Sequence, residues 1–160
     1  MNTNISYNTN FKLVFSQAPE VDFFIQSLSM PSVALGEVQT PYKSYDGYTP
    51  GNQIVYEPLN LSMLLSEDMS NYFYILDWLD KCAKKNKLRD QYKDISLLIL
   101  NNNKLNNREI VFQSAFPTSI TELSLGSNVG DITPTTFSVT IRYQTFIMRN
   151  RVDSEMITVL

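Results

Sequence analysis

Closely spaced carboxylates are the side chains of this sequence best suited to chemistry, because two acidic groups held near each other can act as general acid and general base. The sequence contains three such pairs: Glu20 and Asp22, Glu67 and Asp68, and Asp77 and Asp80. The first pair lies in a predicted turn, the second at the start of a predicted helix, where negative charge is favoured, and the third on the solvated face of that helix. The sequence therefore gives little support to a catalytic carboxylate pair.

The remaining composition excludes several classes of reactive site. The chain has no histidine and a single cysteine, Cys82, which rules out an intramolecular disulfide, a zinc finger and every histidine-dependent catalytic arrangement. Residues 126–130 do not have the G-x-S-x-G spacing of a nucleophile elbow, and no segment has the spacing of a phosphate-binding loop or an EF-hand. We expect no enzymatic activity, no metal and no cofactor, and we interpret Cys82 as a small, partly buried filler.

The charge balance argues against tight binding of nucleic acid. The chain carries 13 basic and 16 acidic side chains, a formal net charge of −3, and so lacks the positive excess that neutralises phosphates. Arg149 and Arg151 lie close together near the C-terminus, where we expect them to be solvated and not to clamp a phosphate.

The length and apolar content predict one folded domain. Apolar residues make up 43% of the 160 residues and charged residues 18%, a composition that folds and leaves room for buried subunit contacts. We expect a single domain over residues 1–160, with residues 1–10 and 150–160 as extended or flexible termini. No signal peptide and no apolar run of the roughly 20 residues that cross a bilayer is visible, so we expect no membrane partner.

Alternating apolar residues predict strands in the first half of the chain. Apolar side chains recur at every second position of residues 11–16, which indicates a half-buried strand that ends before Pro19. Residues 21–28 predict a second strand. Residues 53–65 are also strand-like, but Pro58 interrupts them, so we expect a bulge or an edge position there.

Residues 30–52 differ from the rest of the chain because they are rich in proline, glycine and tyrosine. This composition predicts a long projecting hairpin or loop. Asp46 and Gly47 favour a tight turn, because both tolerate the positive φ that hairpin turns require. From the residues alone, the tyrosines are as well suited to covering the protein's own core as to forming a contact surface.

One helix is predicted over residues 68–84. Ser66 or Asp68 is suited to capping its start, and Trp78 lies to the side of its apolar stripe, where it can cover the edge of a sheet. Apolar side chains recur at spacings of three and four. The stripe, which we expect to pack in the core, consists of Met69, Tyr72, Phe73, Leu76, Leu79 and Ala83.

Residues 92–100 and 108–116 predict an antiparallel hairpin that is joined by an Asn-rich turn and closed by Phe116 and Pro117. For residues 118–125 we predict a short turn of helix.

Residues 136–149 predict one long strand with two different faces. The apolar face consists of Phe137, Val139, Ile141, Tyr143 and Ile147. The other face is mixed and consists of Ser138, Thr140, Arg142, Gln144, Phe146 and Met148. A polar face with little charge is compatible with bulk solvent outside a sandwich and with the wall of a water-filled barrel.

Several of these segments, in this order, resemble the tail tube proteins of contractile-tailed, T4-like phages. The resemblance spans residues 11–146. It is carried by the aromatic-proline turn and short amphipathic stretch of residues 116–125, the alternating strand of residues 136–143, the Leu-Pro turn of residues 28–31, and Asp77 followed by Trp78.

The resemblance implies a mainly β (α+β) fold. Two packed antiparallel sheets would form a β-sandwich or barrel with one flanking helix and a long projecting loop. It also implies a self-assembling virion protein, in which hexameric rings stack into a tube that conducts DNA during ejection. The partners would be other copies of the chain, a surrounding sheath and a baseplate, with assembly in the host cytoplasm. A net acidic subunit is compatible with DNA that passes through without tight binding.

The resemblance further implies roles for particular residues. The tyrosine-rich loop is the expected ring-stacking element, and its contact residues would be Tyr42, Tyr45, Asp46, Gly47 and Tyr48. The mixed face of the last strand is the expected lumen wall, formed by Ser138, Thr140, Arg142 and Gln144.

Two other hypotheses stay open. The same fold serves specialised rings that begin or end a tube, and the inner tubes of secretion and contractile injection systems; the tyrosine-rich loop and the extension of residues 150–160 favour such a special role. A different class of function would be a monomeric β-barrel that binds a small apolar ligand in its interior.

Overall fold

The computed structural model describes residues 9–15, 24–84, 91–125 and 134–150. The predicted termini lie almost wholly outside these ranges, as do Glu20, Asp22 and Arg151. Within the described ranges the chain forms nine β-strands and one α-helix. They are β1 (Phe11–Phe15), β2 (Ile25–Ser29), β3 (Val33–Pro41), β4 (Asp46–Tyr56), β5 (Leu59–Leu64), α1 (Ser70–Ala83), β6 (Lys93–Leu100), β7 (Asn106–Ile120), β8 (Thr136–Arg142) and β9 (Thr145–Asn150).

Seven strands form two antiparallel layers that share one strand. The first layer has the order β1-β6-β7-β9 and the second has the order β7-β8-β5-β2. β3 and β4 pair only with each other and form a separate two-stranded sheet. The described strands do not close into a barrel, so the predicted mainly β architecture is confirmed as two packed sheets with one helix.

β7 passes from the first layer to the second through a bulge at Ser114. This residue has a positive φ of 53°, and its backbone N–H donates to Asp94 Oδ1 over 2.9 Å. From Phe116 onwards β7 pairs with β8. The prediction that Phe116 and Pro117 close the hairpin was therefore wrong, as was the predicted helical turn after them. Pairing with β8 holds residues up to Ile120 in strand conformation.

The predicted long C-terminal strand is two strands, because the chain breaks at Tyr143 and Gln144 between β8 and β9. Up to the break the predicted apolar face is confirmed: Phe137, Val139, Ile141 and Tyr143 are buried. Beyond it the alternation shifts by one residue. Phe146 and Met148 therefore pack against the core, in place of the predicted Ile147.

The core fills the space between the two layers and continues under the helix. Its largest fully buried side chains are Trp78, Phe15, Phe112 and Phe137. Trp78 contacts Phe15 edge to face, with ring centroids 6.4 Å apart. Its indole N–H also donates to the carbonyl oxygen of Gln91 over 2.9 Å. Trp78 therefore joins the helix to both its sheet and its C-terminal connection.

The helix begins after a polar turn that its first residues stabilise. Asp68 Oδ1 accepts a hydrogen bond from the Ser70 backbone N–H at 3.1 Å, and this bond, followed by one from the Ser66 side chain, lowers the pKa of Asp68. Asn71 is 2% exposed. Its Nδ2 donates to the Leu64 carbonyl over 2.6 Å, and its Oδ1 accepts from the backbone N–H and hydroxyl of Ser66.

The face of the helix that meets the core differs from the predicted one. The buried residues are Asn71, Ile75 and Trp78, whereas Phe73 is 57% and Leu76 39% exposed. Of the predicted stripe, Tyr72 packs on the core, Met69 and Leu79 are half-buried, and Ala83 is exposed. The helix carries apolar residues on two sides, and the volume and N–H bond of Trp78 decide which side turns inward.

The projecting hairpin of β3 and β4 turns at Lys43 and Ser44, since the Tyr42 N–H donates to the Tyr45 carbonyl over 2.9 Å. Asp46 and Gly47 instead pair with β3, so the turn predicted there was wrong. Gly47 instead leaves room for the Tyr42 ring, since a Cβ at this position would lie 2.6 Å from it and the ring would have to move.

The pairing of the two hairpin strands is irregular at Gly36 and Gly51, where the backbones lie close together. The register shifts there, between the pairs Leu35–Ile54 and Glu37–Pro50. A Cβ on Gly51 would lie 2.6 Å from the carbonyl oxygen of Gly36. A side chain on Gly51 is therefore incompatible with this pairing.

Aromatic side chains attach the base of the hairpin to the body. Tyr56, the last residue of β4, contacts the rings of Tyr143 and Phe146 with centroids 5.9 and 5.6 Å away. Tyr143 also contacts Phe112 at 4.9 Å. Burial raises the pKa of Tyr143, and its hydroxyl has no hydrogen-bond partner among the described residues.

Replacing Asn71 with alanine is expected to lower the free energy of unfolding by about 1–3 kcal/mol, because it leaves buried polar groups of Ser66 and Leu64 without their partner. Chemical denaturation monitored by tryptophan fluorescence measures this change. Asn60→Ala is the control, since it removes only an exposed hydrogen bond and should cost less than about 0.5 kcal/mol. Equal effects of the two variants would contradict the structural role of Asn71.

Replacing Gly51 with alanine is expected to disrupt the hairpin without unfolding the body. Amide hydrogen exchange in β3 and β4 should become at least about tenfold faster, while exchange in β6 stays unchanged. Gly36→Ala is the matched control, because its Cβ would lie at an ordinary 3.5 Å from the Gln53 carbonyl oxygen. Slow exchange throughout β3 and β4 in the Gly51 variant would rule out this account of the bulge.

Candidate assembly surfaces

The exposed carboxylates on the helix form ion pairs with lysines. Asp77 pairs with Lys81 and Asp80 with Lys84, each over 2.6 Å and in solvent. This agrees with the solvated helix face predicted from the sequence. In the described part of the chain no group of three or more His, Cys, Asp or Glu side chains is placed to hold a metal. No helix there is long and apolar enough to cross a membrane.

The most regular polar surface is the outer side of the second layer, which we call the hydroxyl face. Its strands pair so that Ser29, Asn60, Thr140 and Ser119 lie in one row across the sheet, and Ser27, Ser62 and Ser138 lie in the next. Between them the same strands direct Leu61, Val139 and other buried side chains to the core. The two rows contain hydroxyl and amide groups and no charged side chain.

Hydrogen bonds join neighbouring strands across the hydroxyl face. The Thr140 hydroxyl lies 3.1 Å from Asn60 Oδ1 and donates to it. The Thr118 hydroxyl donates to the Thr140 carbonyl over 3.1 Å, and the Ser138 backbone N–H donates to Thr121 Oγ1 over 2.8 Å. The polar groups of this face are thus partly satisfied within the sheet.

Three of the four predicted lumen residues lie together on the hydroxyl face. Ser138, Thr140 and Arg142 occupy alternate positions of β8, with Arg142 at the end of the strand, next to the Tyr56 carbonyl. Gln144 lies outside β8, in the break before β9. The sequence analysis missed Ser27, Ser29, Asn60 and Ser62. Alternation of small polar and apolar residues in IQSLS and LNLSML was the available signal.

The second layer has two open edges among the described strands. β2 pairs on one side only, with β5. Beyond its bulge, β7 likewise pairs on one side only, with β8 through residues 116–120. The hydroxyl face is therefore bounded on both sides by strand edges that have no second partner among the described residues.

The projecting hairpin carries a second candidate surface, formed by exposed apolar side chains. Tyr42 and Tyr45 stack at its tip with ring centroids 4.9 Å apart, beside Asp46 and Gly47, while Tyr48 lies further along β4. The structure thus brings together four of the five predicted contact residues at the tip and places the fifth nearby. Exposed apolar side chains along both strands were not predicted as contacts: Val33, Leu35, Val38, Ile54 and Val55.

The outward side of the helix carries a third surface, a shallow groove of about 590 Å³. It is lined by Phe73, Leu76, Leu79 and Ala83 between the carboxylates of Asp77 and Asp80. Tyr72, on the inward side, contacts the ring of Phe137 at 5.3 Å. Phe137 points away from the hydroxyl face, so the helix and the hydroxyl face lie on opposite sides of the second layer.

Comparison with solved structures identifies the fold. The chain is similar to a protein of the six-fold symmetrised anti-feeding prophage baseplate, with a TM-score of 0.69 and 17% identity over 94% of this chain and 98% of that chain. It is also similar to a protein of the sheath-tube complex of the extracellular contractile injection system PVC, with a TM-score of 0.65 and 17% identity over 92% and 93% of the two chains.

A more distant similarity is to Hcp1 from Flavobacterium johnsoniae, with a TM-score of 0.54 and 14% identity over 88% and 94% of the two chains. No similar sequence was found among curated proteins.

The sequence itself matches the profile of the phage tail tube protein family over residues 2–149. This match covers nearly the whole chain and confirms the resemblance inferred from its segments. It agrees with the two-layered β fold that the solved structures share. The chain belongs to the phage tail tube protein family and is a structural tube subunit, not an enzyme.

Proposed function

We propose that copies of this chain close into hexameric rings, and that the rings stack into a tube whose inner wall is the hydroxyl face. One observation carries the proposal. The second layer has an uncharged polar face, and its two edge strands, β2 and the second part of β7, each pair on one side only among the described strands. Two open edges on one sheet are a hazard in a monomer and a means of closure in a ring.

Strand direction supports closure by simple rotation. The second layer contains four antiparallel strands in the order β7-β8-β5-β2, so its two edge strands run in opposite directions. When a copy is rotated about a common axis, its β2 comes to lie beside β7 of the neighbour, and these strands are antiparallel. The sheet therefore continues from copy to copy with one pairing pattern, as a head-to-tail ring requires.

The size of the closed sheet fits a conduit. Six copies of four strands give roughly 24 strands spaced roughly 4.8 Å apart, hence a backbone diameter of at least roughly 37 Å. Barrels of roughly 16–18 strands are already wide enough to enclose an aqueous channel. Six-fold symmetry is supported by the similar protein in the anti-feeding prophage baseplate, whose structure is six-fold symmetrised.

The chemistry of the hydroxyl face suits passage of DNA. A basic wall would hold the polyanion through release of counterions, and a strongly acidic wall would oppose its entry. Ser, Thr and Asn side chains do neither, and the charged residue of β8, Arg142, lies at the end of the strand. We propose that the tube conducts DNA during ejection without binding it tightly.

The helix groove and the hairpin supply the other contacts. The helix lies on the opposite side of the second layer from the hydroxyl face, so in the tube it faces outward, towards a sheath. The hairpin projects from the ends of β2 and β5 and stacks one ring on the next, with the end ring meeting a baseplate. Assembly of this virion component would take place in the host cytoplasm.

A specialised end ring is the second candidate. Its support is the similarity to proteins of the tube-terminating cap of the anti-feeding prophage, at a TM-score of 0.69, and of the PVC sheath/tube terminator, at 0.65. The inner tube of a contractile injection system would use the same surfaces. A monomeric ligand-binding barrel has less support, because the described strands do not close and large side chains fill the space between the layers.

Electron microscopy of the purified protein, alone and with tube or baseplate seeds, tests the proposed assembly. Rings or tubes with six-fold symmetry and an open channel are expected. Only dispersed monomers at high concentration, even beside seeds, would overturn it.

Labelling of a single cysteine tests which face lines the channel. In a Cys82→Ser background, Ser138→Cys should react with a bulky polymer maleimide in the monomer and be protected in assembled tubes, because the reagent cannot enter the lumen. Ala83→Cys on the helix is the control and should react in both states. Equal labelling of Ser138→Cys in monomer and tube would exclude the hydroxyl face as the inner wall.

A further inference from the structure

We propose that Arg142 of one ring forms an ion pair with Glu122 of the next ring, where the inner walls of the two rings meet. The inference rests on the proposed tube, in which copies of the hydroxyl face follow one another along the channel. The pair gives the stack a direction and neutralises the charge that β8 places at the end of the wall.

Arg142 lies at one end of the hydroxyl face. It is the last residue of β8 and is exposed, and the alternation of the strand directs it to the same face as Thr140. Its Nη1 donates to the Tyr56 carbonyl over 3.5 Å, which is long for a hydrogen bond. A guanidinium group has five N–H donors, so most of those of Arg142 have no partner among the described residues.

Glu122 lies at the opposite end of the same face. The Thr121 N–H donates to the Ser138 carbonyl over 2.9 Å, and the Ser138 N–H donates to Thr121 Oγ1 over 2.8 Å. Glu122 follows directly and is exposed. Ser138 and Arg142 are about 13 Å apart along β8, so the two charges flank the hydroxyl face instead of meeting on it.

No ion pair within the described part of one copy uses either residue. The two ion pairs there both lie on the helix. Glu57, which precedes β5 at the Arg142 end, forms no ion pair with the guanidinium. Both charges are therefore available to a second copy.

The surroundings of Glu122 favour a cation. β5 ends beside the start of β8, and the turn that follows β5 carries Glu67 and Asp68, both exposed. The described segments at this end contain no lysine or arginine: residues 64–70, 120–125 and 134–137. This end of the second layer is therefore acidic, and the guanidinium at the other end is complementary to it.

Head-to-tail stacking brings the two ends together. Each hexameric ring presents six copies of Arg142 at one junction and six of Glu122 at the other. A ring added in the reverse direction would place like charges against each other. One exposed ion pair contributes little, but six form at once when a ring adds, so their effects combine.

The pairing also accounts for the neutrality of the wall. Six unpaired guanidinium groups in every ring would hold DNA phosphates through release of counterions. Pairing with carboxylates removes that attraction, as passage without tight binding requires. The carboxylate of a second copy is therefore the favoured partner of Arg142, ahead of DNA.

Exchange of the two charges tests the contact. Arg142→Glu and Glu122→Arg each place like charges at every junction, so the protein concentration needed for tube growth from seeds should rise at least about tenfold. The double variant should return to within about threefold of wild type. Sedimentation and electron microscopy should find single rings of each single variant, because strand edges close the ring. Both residues are exposed, so the unfolding temperature should not change.

Glu67→Arg is the matched control, since it makes the same change of charge at the same end but in the turn that leads to the helix. Combined with Arg142→Glu, it should not restore growth. Recovery in this combination, or none in the exchange of Arg142 and Glu122, would overturn the pair. Single variants that remain monomers would place the charges in ring closure and would overturn it as well.

Normal growth of either single variant would also overturn the pair, and Arg142 would be assigned to DNA if Arg142→Glu tubes bound less DNA at low salt. Failure of the wild-type protein to form rings or tubes with seeds would instead refute the proposed tube itself.

Crosslinking tests the direction of stacking. In a Cys82→Ser background, Arg142→Cys combined with Glu122→Cys should be joined by a short bifunctional maleimide into products of more than six copies, which run along the tube. Arg142→Cys alone should give no crosslinked dimer. A dimer from this variant, or products that stop at six copies, would overturn the contact between successive rings.

Discussion

The passage of β7 between the two layers is the constraint on which the rest of the structure depends. Its first part pairs on both sides, with β6 and β9, and so completes the first layer. Beyond the bulge at Ser114 it has β8 on one side and no described strand on the other. One long strand therefore both closes the core and leaves the second layer open, which is the property a polymerising subunit needs.

The two sides of the second layer have different residues and different roles. This difference explains how the chain can serve as a structural subunit without catalytic side chains. Leu59, Leu61 and Met63 are fully buried, and the residues between them are small and polar. The buried side holds the subunit together by packing, while the other side presents uncharged polar groups. A structural tube subunit works through backbone pairing and shape, so it needs neither a histidine nor a catalytic carboxylate pair.

The sequence predicted the features that depend on the alternation of polar and apolar residues along a strand. It missed the features that depend on contacts between residues far apart in the chain. The faces of β8 were correct because its apolar and polar residues differ sharply. The helix was located correctly but assigned the wrong inner face, since the indole of Trp78 and not the average apolar character fixes its rotation. Gly47 was assigned to a turn because glycine favours turns, whereas here it makes room for the Tyr42 ring. No local signal marked the break at Gln144.

The apolar side chains that stabilise the fold and those that remain exposed lie in different parts of the molecule. The core is complete in a single copy, with the indole N–H of Trp78 and the side chain of Asn71 both bonded. The hairpin, attached to the body through Tyr56 and its aromatic neighbours, adds little to that core. A monomer can therefore fold before its hairpin has a partner. The apolar groups exposed on this thin element, with polar groups and Lys43 among them, are therefore separate from the core that folds the subunit.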